Sequence, residues 1–266
     1  TWDSLLAGDT ARIDQSAQPM AQGLATTPKL AKGPLHEVTV GVPDVAGASM
    51  FVATAQASVS GGGTEYVYLR YRRASAKAGW TVADLRYDSK ASGVPQPAFG
   101  PHGSLPALTG PRAATYATDY IAYLRQVNKA GKLVANDTFA TPPATSKDSF
   151  LVTNAPHGGT KFGDPRIFAT WHFTDAGGAT EGAVPLAGGG ALVTFTVNVR
   201  LNIYNQTKPA PTACTKISIT RGTDGARYRE LIENSSLPVV VTTHRSGKAT
   251  VDDTKILDDG FKGVPC

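Results

Sequence analysis

The residues best placed to do chemistry lie around His172. It stands in the run Phe168-Ala169-Thr170-Trp171-His172, with Asp164 upstream and Asp175 downstream. An imidazole oriented by a carboxylate is the smallest pair of groups able to take a proton from a substrate and return it. The alternation around His172 predicts a strand on which it could face a concave pocket, with Asp164 or Asp175 as the partner. The competing reading is a structural histidine held by hydrogen bonds. The remaining histidines (His36, His102, His157 and His244) form no His-Glu-x-x-His motif and no pair at helical spacing, so a zinc hydrolase finds no support.

Two other stretches invite a chemical reading. His157-Gly158-Gly159 has the look of a glycine-rich oxyanion segment, but the Gly-x-Ser-x-Gly turn that would present a nucleophile is missing, so a surface turn is the better account. Gly188-Gly189-Gly190 precedes a strand, the wrong side for a phosphate-cradling helix N-terminus, and reads as a hairpin loop. No cofactor or metal is expected.

Binding chemistry is written more clearly in Tyr66-Val67-Tyr68-Leu69-Arg70-Tyr71-Arg72-Arg73. Period two places Tyr66, Tyr68, Arg70 and Arg72 on one face of a strand. Stacking rings interleaved with guanidinium groups could hold sugars, anionic wall polymers or single-stranded nucleic acid. The bland alternative is a solvated sheet face whose Arg stems cover apolar neighbours. The formal net charge of +5 permits attraction to anionic polymers without requiring nucleic acid.

The elements that must position these residues are mostly strands. From Val193 to Tyr204, Val193, Phe195, Val197, Val199, Leu201 and Ile203 alternate with Thr194, Thr196, Asn198, Arg200, Asn202 and Tyr204. The pattern predicts a long antiparallel strand, apolar on one face and wet on the other, at the centre of a curved sheet. Met50 to Ser60, the Gly61-Gly62-Gly63 turn and Tyr66 to Arg73 read as a hairpin, which Trp80 to Tyr87 extends to a three-stranded meander. Leu35 to Val42, Arg166 to Thr174, Thr215 to Thr220 and Val239 to His244 are further strand candidates. Ala113 to Ala130 carries Tyr116, Tyr120, Ile121, Tyr123, Leu124 and Val127 at helical spacing and stops at Gly131. Ile13 to Leu24 is a second helix candidate. Thr138 to Asn154 is polar and broken by proline.

Residues 95–112 are rich in Pro, Gly and Ser and read as a stiff linker with little that could pack. They would separate an N-terminal α+β domain (1–94) from a C-terminal one (113–266). The two halves echo each other loosely, each with a helical segment before a glycine-turned hairpin, and this argues for duplication.

With 28 Gly, 18 Pro and only 18% charged residues, the composition fits a strand-rich protein outside the cytoplasm. No apolar run is long enough to span a membrane as a helix. The sequence shows no signal peptide, and Thr1 opens within what looks like folded sequence, as in a mature or trimmed form. Cys214 and Cys266 are the only cysteines. They suggest a disulfide pinning the C-terminal tail, worth up to about 4 kcal/mol in the chain-entropy model, against the alternative of two free thiols. Three Asn-x-Ser/Thr triplets, at Asn136, Asn205 and Asn234, would accept glycans only in a eukaryotic secreted protein.

Leu5-Leu6-Ala7, the Phe51-Val52-Ala53-Thr54 strand, the Trp80 strand before the Pro-rich segment and the Tyr120-Ile121-Ala122-Tyr123-Leu124 helix carry a family resemblance. On these residues the chain resembles actinobacterial secreted lipoproteins with a conserved C-terminal region of unknown function. That resemblance implies a cell-envelope location and tandem cystatin/NTF2-like domains, each a curved antiparallel sheet packed on a helix. It carries no catalytic residues. The lipid-bearing N-terminal cysteine is not in this sequence, so membrane attachment would belong to an anchor on the precursor.

The sequence therefore leads to the expectation of a secreted or envelope-attached, non-enzymatic binding or assembly module. Its partner would be an envelope protein or an anionic wall polymer, with nucleic acid disfavoured and self-association through strand edges open. The rivals are a hydrolase- or isomerase-like enzyme using His172 in a cone-shaped pocket, and a self-assembling surface structural protein.

Overall fold

A computed structural model describes residues 35–43, 50–59, 62–73, 79–105, 112–142, 149–157, 167–176, 183–205, 228–253 and 257–265 of the chain. The fold is mixed α and β, dominated by antiparallel sheet, with few helices. The chain divides into two compact units. One comprises Thr1–Ala113, Gly178–Thr194 and Val241–Ala249; the other comprises Ala114–Gly177, Phe195–Val240 and Thr250–Cys266.

In the first unit a five-stranded sheet has the order β4-β3-β2-β1-β5. Its strands are β1 (Leu35–Pro43), β2 (Met50–Val59), β3 (Gly63–Arg72), β4 (Thr81–Asp88) and the short β5 (Ser104–Leu105). The expected meander is present: β2 and β3 pair antiparallel without interruption from Met50↔Arg72 to Val59↔Gly63, and β4 pairs with β3. Gly62, at φ +90°, supplies the left-handed residue that this tight reversal needs. Period two gathers Phe51, Ala53, Ala57, Val67, Leu69 and Tyr71 into one apolar cluster, with Leu35, Val40 and Trp80 against it. The Phe51 ring stacks on Tyr71 at 4.4 Å and meets Trp80 edge-on at 4.8 Å, while the Arg73 guanidinium lies 4.7 Å above the Trp80 ring.

The second sheet has the order β10-β9-β8-β6, with β11 also on β9 and β7 on β8. It is built from β6 (Ile167–Asp175), β7 (Val184–Pro185), β8 (Ala191–Asn205), β9 (Tyr228–Thr242), β10 (Thr250–Asp253) and β11 (Leu257–Pro265). As its alternation predicts, β8 is central and pairs antiparallel with β6. Val193, Phe195, Val197, Val199 and Leu201 are buried, while Asn198 and Arg200 are exposed. The wet face begins only past Thr194, which is itself buried.

Helix α1 (Arg112–Ala130) supplies the apolar partner to the inner face of this sheet in the second unit. Its buried stripe of Ala117, Tyr120, Ile121, Tyr123, Leu124 and Val127 follows the helical repeat. Tyr120 meets Phe195 edge-on at 6.1 Å. Gly131, at φ +65°, ends the helix in the left-handed conformation, as expected. The chain then folds back so that Phe139, fully buried, is ringed by Tyr116, Tyr120 and Tyr123 at 5.6–6.1 Å. Asn136 holds that return, its Oδ1 accepting from the backbone N–H groups of Thr138 and Phe139. This glycan-type triplet therefore spends its amide oxygen on a turn. A short helix, α2 (Phe150–Thr153), adds Phe150 and Leu151 to the core.

Three features depart from the sequence expectations. The described part of the Pro/Gly-rich segment is packed structure rather than a spacer. Val94 and Leu105 are buried, Pro97 bridges to Leu186, and the N–H of Ala98 donates to the carbonyl of Pro185. Proline and glycine shape turns here as readily as they stiffen linkers. The units also interleave along the chain instead of following one another as 1–94 and 113–266, because Gly178–Thr194 and Val241–Ala249 group with the N-terminal strands. Finally, the strand expected from Val239 begins much earlier, as β9 (Tyr228–Thr242), and runs straight through Pro238. That proline lies beyond Ser236, the end of the β11 pairing, so its missing donor does not interrupt that ladder. The helix candidate at 13–24 and the strand candidate at 215–220 lie outside the described residues.

Candidate ligand-binding face

Register decides what β6 and β8 present together. Phe168 pairs with Tyr204, Thr170 with Asn202, His172 with Arg200, and Thr174 with Asn198. Directly paired residues share a face, so these eight side chains form one two-column ladder opposite the apolar core. His172, Thr174, Asn198 and Arg200 are exposed, and Asn234 of β9 is exposed beside them.

Here the sheet surface is hollowed into an open concavity of about 550 Å³, lined by His172, Thr174, Asn198, Val199, Arg200, Asn202, Asn234 and Ser235. The Arg200 Nε donates to Asn202 Oδ1 at 2.8 Å, which ties the guanidinium to its neighbour along the strand. Ser235 donates back along β9 to Glu233 Oε1 at 3.4 Å. Among the described residues, the lining holds a guanidinium, an imidazole, three carboxamides and two hydroxyls, and the one acid bonded to it is Glu233, which accepts from Ser235. Carboxamides both donate and accept, whereas a guanidinium only donates. Such a surface can grip hydroxyls and anions.

The acid/base pair expected from sequence is not assembled with Asp175. Three residues along a strand reverse the face: Asp175 is paired with Val197, on the side of Trp171 and Phe173, while His172 points outward. Asp164, Cys214 and Cys266 lie outside the described residues. Trp171, beside His172, turns inward and meets Phe150 edge-on at 5.5 Å.

The Tyr/Arg stripe is likewise not an open platform. Tyr68 is fully buried and Arg70 is 8% exposed, while Tyr66 is half-buried; Arg72 ends β3 opposite Met50 and Thr81. In the middle of β3 both faces are covered, because Val67, Leu69 and Tyr71 are buried as well. A strand covered on both sides keeps its alternation, so the pattern alone could not reveal the cover.

The edge strand β6 bears on self-association. Arg125 of α1 reaches the carbonyl of Phe173 at 2.7 Å, occupying one acceptor that an added strand would need.

The sequence reading singled out His172 but missed Asn198, Arg200, Asn202 and Asn234. The signal was available: Asn198, Arg200 and Asn202 are the wet positions of the β8 alternation, and period two places them on one face. Their meeting with His172 depends on register, which the alternation does not give. Comparison of the chain with protein-family models, with curated proteins and with solved structures finds no match.

Proposed function

We propose that the protein is a secreted or envelope-attached binding module, not a catalyst, and that it engages an envelope polymer through the polar face of β6, β8 and β9. One observation carries the reading. Three strands bring His172, Arg200, Asn198, Asn202 and Asn234 to a single concavity whose described lining side chains are donors and amides rather than acids. Polar residues on a solvated sheet face are ordinarily mixed in charge, with both signs interspersed. A hollow of donors and amides suits a ligand rich in hydroxyls or negative charge. The net charge of +5 would draw such a ligand in from a distance.

The same proposal takes the chain as a relative of the actinobacterial secreted lipoproteins, with tandem cystatin/NTF2-like domains. Support comes from the antiparallel meander in one unit and, in the other, from a helix lying against an antiparallel sheet through Tyr120 and Phe195.

Co-sedimentation with purified bacterial cell-wall sacculi tests the function. Arg200→Gln combined with Asn234→Ala alters two exposed side chains and leaves the core intact. The double variant is expected to lose tenfold or more in apparent affinity while its circular dichroism stays that of the parent. Retention equal to the parent would overturn the assignment of this face.

A further inference from the structure

We infer that the ligand is an anionic carbohydrate chain lying along β8, with a sugar ring seated on Tyr204 and Phe168. This rests on the reading of the β6–β8–β9 face given above and names the chemistry that the face selects. The ladder that carries His172 and Arg200 does not stop at the concavity. It continues through Thr170 and Asn202 to Phe168 and Tyr204, whose rings stack at 6.3 Å with 25° between their planes. Both rings are half-buried, and the Tyr204 hydroxyl lies 3.4 Å from Thr170 Oγ1. A pair of half-buried aromatic rings at the end of a polar track offers an apolar patch to the C–H face of a sugar. The amides beyond it can meet the ring hydroxyls.

Length and charge narrow the class. Asn198 to Tyr204 spans roughly 20 Å at the rise of an extended strand, enough for several linked sugar units rather than one. One rung in from Asn198 on that track stand His172 and Arg200, directly paired. Arg200 is a permanent cation with donors left over beyond Asn202, and guanidinium groups match carboxylate and phosphate in shape. A neutral glycan would leave that cation without a counter-charge. Single-stranded nucleic acid, also anionic, would call for several stacking rings along the track, and among the described rungs of β6 and β8 the aromatic pair stands at one end.

Titrations followed by fluorescence anisotropy, using hyaluronan oligosaccharides, a glucosylated glycerol-phosphate teichoic acid, dextran and oligo(dT), decide the matter. The expected result is saturable binding of the hyaluronan or the teichoic acid, with the two arms showing whether carboxylate or phosphate is preferred. Dextran and oligo(dT) should bind at least tenfold more weakly. Tyr204→Ala should weaken the charged glycan tenfold, and Arg200→Gln should do the same and flatten the salt dependence. Tyr87→Ala, an exposed ring on β4, serves as the control and should change nothing. Should Tyr204→Ala fail to fold, saturation-transfer NMR from the Phe168 and Tyr204 ring protons to hyaluronan in the parent protein gives the same answer.

The inference is overturned if dextran binds equally well, if oligo(dT) binds most tightly, or if no glycan binds. In that last case, loss of sacculus binding by the Arg200→Gln/Asn234→Ala variant would still uphold the binding face. An unaffected double variant would remove both proposals.

Discussion

Phe139→Ala is expected to destabilise the protein by about 3–5 kcal/mol, the cost of deleting a fully buried aromatic side chain and leaving part of its volume empty. The position is unusually sensitive because three tyrosines close around one ring. Tyr123 lies parallel to it, Tyr120 meets it edge-on, and Tyr116 is tilted, all within 6.1 Å. None of them can collapse freely into the gap. Tyr123 is tethered by its hydroxyl to the carbonyl of Val134 at 2.8 Å, and Tyr120 is committed to Phe195. The cavity therefore stays open. Equilibrium denaturation should show the midpoint falling with little change in slope. A loss under 1 kcal/mol would mean that the ring of tyrosines relaxes, contrary to the packing described.

Gly190→Ala is expected to cost about 2–3 kcal/mol, because two penalties fall on one residue. Gly190 sits at φ +89°, where a side chain is strained. A Cβ there would also run into the backbone carbonyl of Thr243. That carbonyl cannot retreat cheaply, since Thr243 is fastened to Ala191 by two hydrogen bonds, its N–H to the Ala191 carbonyl at 2.8 Å and its Oγ1 accepting from the Ala191 N–H at 2.7 Å. Gly188, in the same loop, has open space around it and should accept Ala with no loss. Thermal unfolding of the two variants side by side is the check. Equal melting temperatures would refute the account of this hairpin.

These two sites mark where sequence reasoning reaches and where it stops. The glycine triplet was legible as a hairpin loop because φ > 0 is a local demand that glycine meets. Which glycine also faces a carbonyl was not legible, since Thr243 lies far along the chain. Strand β8 was legible for the same local reason: twelve alternating residues fix a face by geometry alone. Phe139 was not, because it is a single apolar residue in a polar, proline-broken stretch with no periodicity to flag it. The Tyr/Arg stripe of β3 failed differently. Its alternation is real, but whether a face is wet depends on what folds over it, and Tyr68 and Arg70 are covered. The supposed His172–Asp175 pair was refutable from spacing, since residues three apart on a strand point to opposite faces. His172 itself does line a concavity, but its neighbours there are Arg200 and carboxamides rather than an acid.

Hydroxyl-radical footprinting with and without solubilised cell-wall fragments tests the binding face most directly, because it reads side chains rather than the backbone. Phe168, His172 and Tyr204 should lose reactivity when the fragments are present, while Tyr66 and the exposed Tyr87 keep theirs. Protection confined to Tyr66 and Tyr87, with Phe168, His172 and Tyr204 unchanged, would contradict the assignment of the β6–β8–β9 face.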